Sequence, residues 1–282
     1  MAKKSFGLFR NKLALSIFIS VIISIVLSAL FVVGFLETYN IALSDSLYGG
    51  KEALEDIAII GVDDKSLQEI GRWPWDRSLH AQLLQKLKGH AKIVAFDISF
   101  FEPSSDDEEF GAAIDETENT TLVVEYTSFS FADGQLYGDE ILKPVIKASY
   151  YEGFVNIFTD DDGIVRSFPP HISGIEDYDS FSIVVSKKFL GTDTGIQADK
   201  ILINYAGPPG SFAYYSYSDI LRDRTDLSLF DGKIVLIGAT APDLRDTHLT
   251  PVSNMEMPGV EIHANAIQTV ITGDFLEYQD NV

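Results

Sequence analysis

The chain has 282 residues, with 42 Asp or Glu against 21 Lys or Arg, which gives a formal net charge of −21. A surface this acidic repels phosphate backbones and argues against nucleic-acid binding. The absence of cysteine excludes disulfides, thiolate metal sites and cysteine nucleophiles. Hydrophobic residues make up 46% of the chain, which is enough for a packed core.

Residues 13–36 contain no charged side chain. As a helix they span about 36 Å, against roughly 30 Å for the hydrocarbon core of a bilayer. The apolar run is longer than that of a cleaved signal peptide. Positive charges precede it and acids dominate after it, so the positive-inside rule predicts a cytoplasmic N-terminus at 1–12. We therefore expect a single-pass protein of the inner (plasma) membrane, with its main domain, residues 40–276, in the periplasm or outside the cell.

Four serines recur every fourth residue in this apolar segment, at positions 16, 20, 24 and 28. A stripe of small residues allows two membrane helices to pack closely, which predicts a homodimer. Alternatively, each serine bonds only to the backbone of its own helix.

Short, unbroken apolar runs in the main domain are typical of strands buried on both faces. They are DIAIIGV (56–62), KIVAFDI (92–98), TLVVEY (121–126), ILINYA (201–206) and KIVLIGA (233–239). Helical patterns cover 77–88, 181–190 and 259–272, each followed by a glycine. This order predicts an α/β fold with a largely parallel sheet and helices on both faces.

The middle of the chain differs, because Asp133-Gly134 and Asp162-Gly163 are hairpin signals between apolar runs. We therefore expect an antiparallel subregion over about 121–172. The acidic stretch TDDDG (159–163) lacks the spacing of a calcium loop and predicts a tight turn. The stretch AGPPG (206–210) predicts a rigid loop, since its prolines remove amides that a phosphate cradle needs.

Ligands of open α/β sheets bind beyond the carboxyl ends of the strands, where this sequence is rich in acids. The candidate residues there are Asp63, Asp97, Asp246 and His248, with His263 on the helix that follows. If they converge, they could hold a small molecule, an amine or a hard cation. The alternative is that the carboxylates cap helices and close turns, and that His263 makes a structural hydrogen bond. Whether a metal binds stays open, and no cofactor is expected.

Both tryptophans lie in GRWPWDRSLHAQLL (71–84). One interpretation is a helix anchor, in which Trp73 or Trp75 packs on the following leucines and Asp76 or Ser78 caps the helix. The other is an aromatic wall that places a tryptophan over the acidic strand ends as a ligand contact. His80, on the same helix, is expected to be packed or solvated rather than a ligand.

Catalytic motifs such as G-x-S-x-G, H-E-x-x-H and the Walker lysine loop are absent from the sequence. A hydrolase using Asp63, Asp97 and His263 would lack a nucleophile and a metal spacing. The chain is therefore not expected to be an enzyme.

The same motifs, in the same order, resemble a type-two CHASE domain over about residues 40–276. They are GRWPWDRSLHAQLL, KIVAFDISFFEPS with Asp106-Asp107 and Phe110, VNIFTDDDGIVRSFP, INYAGPPGSF and GKIVLIGATAPDLRDTHLTP…MPGVEIHANAIQTVITG. The resemblance implies an extracytoplasmic sensory module of bacterial membrane receptors, whose ligand is generally undefined. In that family a cytoplasmic cyclase, histidine kinase, diguanylate cyclase or serine/threonine kinase follows.

The resemblance predicts a ligand-sensing input domain of a membrane-anchored receptor, with the output domain absent from this chain. Two alternatives stay open. The chain could be the N-terminal part of a receptor adenylate cyclase, or a tethered protein that binds a solute or a cation.

Overall fold

A computed structural model describes residues 3–32, 45, 48, 51–132 and 135–276. The chain consists of two compact units, Met1–Tyr48 and Gly49–Val282. In the first unit, helix α1 covers Lys3–Val32. Within the described ranges, no helix is both long and apolar enough to cross a membrane. The span predicted at 13–36 is therefore not supported by the structure, and residues 33–36 lie outside the part that it describes.

The second unit contains the strands and the remaining helices. The strands are β1 (Ile57–Val62), β2 (Ile93–Asp97), β3 (Thr120–Ala132), β4 (Gln135–Leu142), β5 (Tyr151–Phe154), β6 (Ser167–Phe168), β7 (His171–Gly174), β8 (Tyr178–Asp179), β9 (Ile201–Leu202), β10 (Ala213–Ser216), β11 (Ile234–Ala239), β12 (Thr247–Thr250) and β13 (Ser253–Pro258). The helices are α2 (Asp64–Ile70), α3 (Arg77–Leu87), α4 (Asp107–Thr117), α5 (Phe181–Leu190), α6 (Tyr217–Leu221) and α7 (Gly259–Thr272). Short 3₁₀ turns cover Leu227–Phe230 and Pro242–Leu244.

Within the described residues, the main sheet has nine strands in the order β10-β1-β11-β2-β3-β4-β7-β8, and β5 pairs with β3. Strands β10, β1, β11, β2, β3 and β5 are mutually parallel where they pair. All six residues of β1 are buried, which is why its sequence is an unbroken apolar run. The predicted α/β fold with a largely parallel sheet is confirmed.

Helices cover both faces of this sheet, because successive side chains of a strand point to opposite sides. On the first face, Ala58 and Ile60 of β1 belong to one core with residues of α3, α4 and α6. On the second face, Ile57 and Ile59 belong to another core with residues of α5 and α7.

The run at 201–206 was wrongly predicted as a strand of the main sheet. Only Ile201–Leu202 forms a strand, and it pairs antiparallel with β6 in a separate ribbon. The place beside β1 belongs to β10 instead. The sequence of β10, AYYS, is short and only partly buried, so it gives no strong strand signal.

The antiparallel subregion predicted at 121–172 is partly correct. Strands β3 and β4 form a hairpin in which Ala132 pairs with Gln135, while its predicted turn, Asp133-Gly134, lies outside the described residues. The Asp162-Gly163 turn is tight: Gly163 has a φ of 81°, and its N–H donates to the Asp160 carbonyl at 2.8 Å. Its flanks do not form the predicted hairpin, however, because β6 pairs with β9 and β5 runs parallel to β3.

Candidate functional site

Asp97 is the last residue of β2, at the carboxyl edge of the sheet. It alternates with Ile93 and Ala95, so its side chain points to the second face. Its Oδ2 atom is buried and has no hydrogen-bond partner among the described residues. Burial raises the pKa of Asp97 well above its usual value, and the negative charge of Asp246 raises it further. These effects favour the protonated acid.

Gly238 allows α7 to approach Asp97. It lies on β11 and pairs with Asp97 on the neighbouring strand. A Cβ at Gly238 would lie 2.8 Å from Cβ of Val260, closer than real Cβ atoms approach one another. Only a residue without a side chain therefore lets the start of α7 pack against β11 beside Asp97.

Asp246 lies against the N-terminus of α7. The Gly259 N–H donates to the Asp246 carbonyl at 3.0 Å, and a Cβ at Gly259 would lie 2.6 Å from the Asp246 Oδ1. The positive end of the helix dipole favours a negative charge at this position. His248 Nε2 is 3.6 Å from the Asp246 Oδ1, and the two side chains are 29% and 37% exposed. This part of the site is open to solvent.

His263 lies one turn further along α7 and is 7% exposed. Its Nδ1 is 3.3 Å from the Ser182 Oγ on α5, and its ring makes an edge contact with Phe181. Burial lowers the pKa of His263 to about 4, with a smaller decrease from His248 and an opposing increase from Asp246. The imidazole is therefore neutral at pH 7.

Asp97, Asp246, His248 and His263 thus form one electrostatically linked group, which we call the carboxyl-edge cluster. It extends from the partly exposed pair Asp246 and His248 to Asp97, whose Oδ2 atom is buried, and to the buried His263. Four of the five predicted strand-end and helix residues belong to it. In the portion of the chain that is described, no group of three or more His, Asp or Glu residues could hold a metal ion.

Asp63, the fifth predicted residue, has a capping role. It is the N-cap of α2, and its Oδ1 accepts hydrogen bonds from the Ser66 N–H at 2.8 Å and from the Ser216 hydroxyl at 2.9 Å. This agrees with the alternative interpretation, in which strand-end carboxylates cap helices. The prediction that Asp63 joins the other acids is not supported.

The tryptophans lie on the first face, opposite the side to which Asp97 points. Trp75 is 8% exposed, its Nε1 donates to the Gly71 carbonyl at 2.9 Å, and its ring centroid is 4.9 Å from that of Tyr217. Trp73 is partly buried and packs edge-on against Trp75 at 5.1 Å. These contacts favour the helix-anchor interpretation and place neither ring beside the carboxyl-edge cluster. A ligand contact by either tryptophan stays a prediction.

His80 is packed, as expected, in an aromatic cluster on the first face. It is 1% exposed, and its Nδ1 lies 2.8 Å from the Tyr217 hydroxyl. Burial, and to a smaller extent the charge of Arg77, lowers the pKa of His80 to about 3. The rings around it are Trp73, Phe96, Phe100, Phe110 and Tyr217.

The predicted cap of α3 is only partly correct. Asp76 occupies the N-cap position, but in the described structure its carboxylate makes no capping hydrogen bond.

The expected tight turn at TDDDG (159–163) is confirmed. Two of its carboxylates accept hydrogen bonds from a side chain of the protein: Arg166 donates to Asp160 at 3.0 Å and to Asp162 at 2.8 and 2.9 Å.

Glu261 is a buried acid that the sequence analysis missed. Its carboxylate, in the first turn of α7, is fully buried and accepts hydrogen bonds from the N–H groups of Gly210 and Ser211 at 2.9–3.0 Å. The Tyr214 hydroxyl donates to it at 2.8 Å. The AGPPG loop does therefore present amides to an anion, but that anion belongs to the protein. The sequence does contain a signal for this buried acid, because Glu261 lies within the largely apolar stretch VEIHANAI.

Glu261→Gln should lower the free energy of unfolding by about 1.5–3 kcal/mol, because it removes the charge that strengthens these hydrogen bonds and keeps the shape. The measurement is urea unfolding of the full chain at pH 7. Glu140→Gln, on the exposed part of β4, is the matched control. Equal midpoints for the two variants would show that Glu261 does not hold the loop.

The domain is a mixed α/β domain with a mostly parallel sheet, and a polar cluster lies beyond the carboxyl ends of its strands. The family model for the CHASE2 domain matches residues 20–281. The chain belongs to the CHASE2 family, whose members are sensory domains of receptors, and the resemblance predicted from the motifs is confirmed. Comparisons with curated proteins and with solved structures found no match.

Proposed function

We propose that this protein is the extracytoplasmic ligand-sensing part of a membrane-anchored bacterial receptor. The observation that carries the proposal is the CHASE2 match, which extends over nearly the whole chain. The output would be a separate cytoplasmic domain or a partner protein, and an adenylate cyclase is one candidate. The family is sensory rather than catalytic, so the chemistry of the receptor would lie in that output.

Within the domain, we place ligand binding at the carboxyl-edge cluster. Asp246 and His248 are partly accessible to solvent there, and the buried His263 lies one turn further along α7. A carboxylate open to solvent at a helix N-terminus can accept hydrogen bonds from an amine or another donor without prior rearrangement. The ligand class that fits is therefore a small molecule with a positive charge or a hydrogen-bond donor.

A ligand screen by thermal unfolding of the full chain tests this placement. A compound that binds the folded state stabilises it by about 2.7 kcal/mol at 100 times its Kd. We expect compounds from a panel of amines and small polar molecules to raise the Tm, and Asp246→Asn to abolish that increase. Asp139→Asn, an exposed aspartate on β4, is the control and should respond like the wild type. A shift that Asp246→Asn retains would place the site elsewhere.

We also propose that residues 13–36 anchor the protein, with residues 1–12 in the cytoplasm. The support is the uncharged segment and its basic flank. Alkaline phosphatase fused after residue 276 should be active, and green fluorescent protein at the same position should be dark. The opposite pattern would contradict this orientation while leaving the ligand site untouched.

A further inference from the structure

A largely buried cavity lies between α5 and α7, beyond the end of β5. Its polar lining consists of Asn156, Ser167, Ser180, Ser182 and His263, and Phe154 is among its apolar neighbours. The three serines and His263 are each more than nine-tenths buried, and Asn156 is partly exposed. The cavity is therefore a mostly internal polar space.

The size of the cavity limits what it can hold. The space open to the centre of a water molecule is about 10 Å³. One water requires roughly 10–15 Å³ on that measure, and two to four polar partners. The cavity thus fits a single water-sized molecule.

The hydrogen bonds of His263 point to the same occupant. Its Nδ1 is satisfied by Ser182, whereas Nε2 is buried and has no hydrogen-bond partner among the described residues. The Val155 carbonyl lies close enough to the ring to raise its pKa as a hydrogen-bond acceptor, but this contact lacks the geometry of a full hydrogen bond to Nε2. A buried imidazole nitrogen without a well-placed partner is costly, so an occupant that bonds to Nε2 is favoured.

The charge of the occupant follows from the burial of the site. Burial disfavours a positive charge on His263, since it lowers the pKa of this residue to about 4. The same desolvation disfavours an ammonium or metal ion in the adjacent space. The occupant should be neutral.

We propose that this cavity is a binding site for one water molecule, which bonds to His263 Nε2 and to a lining serine hydroxyl. The water would join the start of α5 to α7 and to the β6–β9 ribbon. The water would contact the carboxyl-edge cluster through His263, which lines the cavity. The inference stands on the cavity and on His263, and it does not depend on the sensory function.

Oxygen-17 relaxation dispersion of the full chain tests the proposal by counting long-lived internal waters. His263→Phe fills the space and removes Nε2, so the count should fall by one. His171→Phe replaces an exposed histidine and should leave the count unchanged. If His263→Phe does not fold, Ser182→Ala keeps the fold more conservatively and should shorten the residence time of that water.

A crystal structure of the full chain gives an independent result. We expect one density peak within hydrogen-bond distance of His263 Nε2. A ring turned so that Nε2 donates to the Val155 carbonyl, with no peak in the cavity, would overturn the proposal. An unchanged water count in His263→Phe, together with an unchanged residence time in Ser182→Ala, would overturn it as well.

Discussion

Lowering the pH from 7 to 4 should destabilise the folded second unit by about 3 kcal/mol for each of two buried histidines. The pKa of His80 is lowered to about 3 and that of His263 to about 4, because burial disfavours the charged imidazole. An unfolded histidine binds a proton near pH 6.5. The stability that each contributes is therefore complete above pH 6.5 and is lost as the pH falls towards the folded pKa.

Asp97 acts in the opposite direction. Its folded pKa is raised, so its contribution is complete below the unfolded pKa and is lost as the pH rises through the folded value. Ion-paired carboxylates such as Asp162, whose pKa is lowered, add to the loss in acid. The effect of the histidines must therefore be isolated by comparing variants.

The measurement is urea unfolding of the full chain at pH 7 and pH 4. His80→Gln and His263→Gln should each reduce the difference between the two free energies of unfolding. His171→Gln, an exposed histidine, should not change that difference. If all three variants retain the wild-type difference, the two histidines are not the cause of the acid sensitivity.

Local signals explain why part of this fold could be predicted from sequence. Helices 181–190 and 259–272 were predicted with their correct ends, since Gly191 and Gly273 both adopt the left-handed conformation that ends a helix. Ser180 caps the first of them through the Ile183 N–H. Strands β1, β2 and β11 were predicted because burial on both faces leaves a continuous apolar run.

The wrong predictions share another cause: contacts between segments that are distant in sequence decide which structure a segment adopts. The run ILINYA is apolar because it is buried beside α7, and its backbone bonds to helix side chains: the Asn204 N–H donates to Thr269 and the Ala206 N–H to Asn265. Helix side chains thus replace the neighbouring strand that a strand prediction assumes. No local pattern in the sequence shows that side chains of α7 take the place of a neighbouring strand.

The candidate site was predictable to the level of residue type and sheet edge. The carboxyl-end rule brought Asp97, Asp246 and His248 together. It could not separate them from Asp63, since a capping role requires knowing that Ser66 and Ser216 approach the same oxygen. The position of Trp75 on the opposite face likewise depends on its contact with Tyr217, which is distant in sequence.

Trp75→Ala should lower the free energy of unfolding by about 3–5 kcal/mol, the usual cost of truncating a buried aromatic side chain. The substitution leaves a cavity against Tyr217 and removes the hydrogen bond to the Gly71 carbonyl. Urea unfolding of the full chain measures the loss. Phe131→Ala is the aromatic control, because Phe131 is 75% exposed and should change stability by about 0.5 kcal/mol or less.

The same pair of variants separates the two roles considered for the tryptophans. If Trp75 is a helix anchor, Trp75→Ala lowers the free energy of unfolding and leaves ligand affinity unchanged in the protein that remains folded. If Trp75 is part of an aromatic wall, Trp75→Ala lowers the affinity for a compound identified in the thermal screen and leaves the free energy of unfolding nearly intact. Because Trp75 packs on the first face and Asp97 points to the second, we expect the first result. A Trp75→Ala protein as stable as Phe131→Ala would contradict the packing described for this residue.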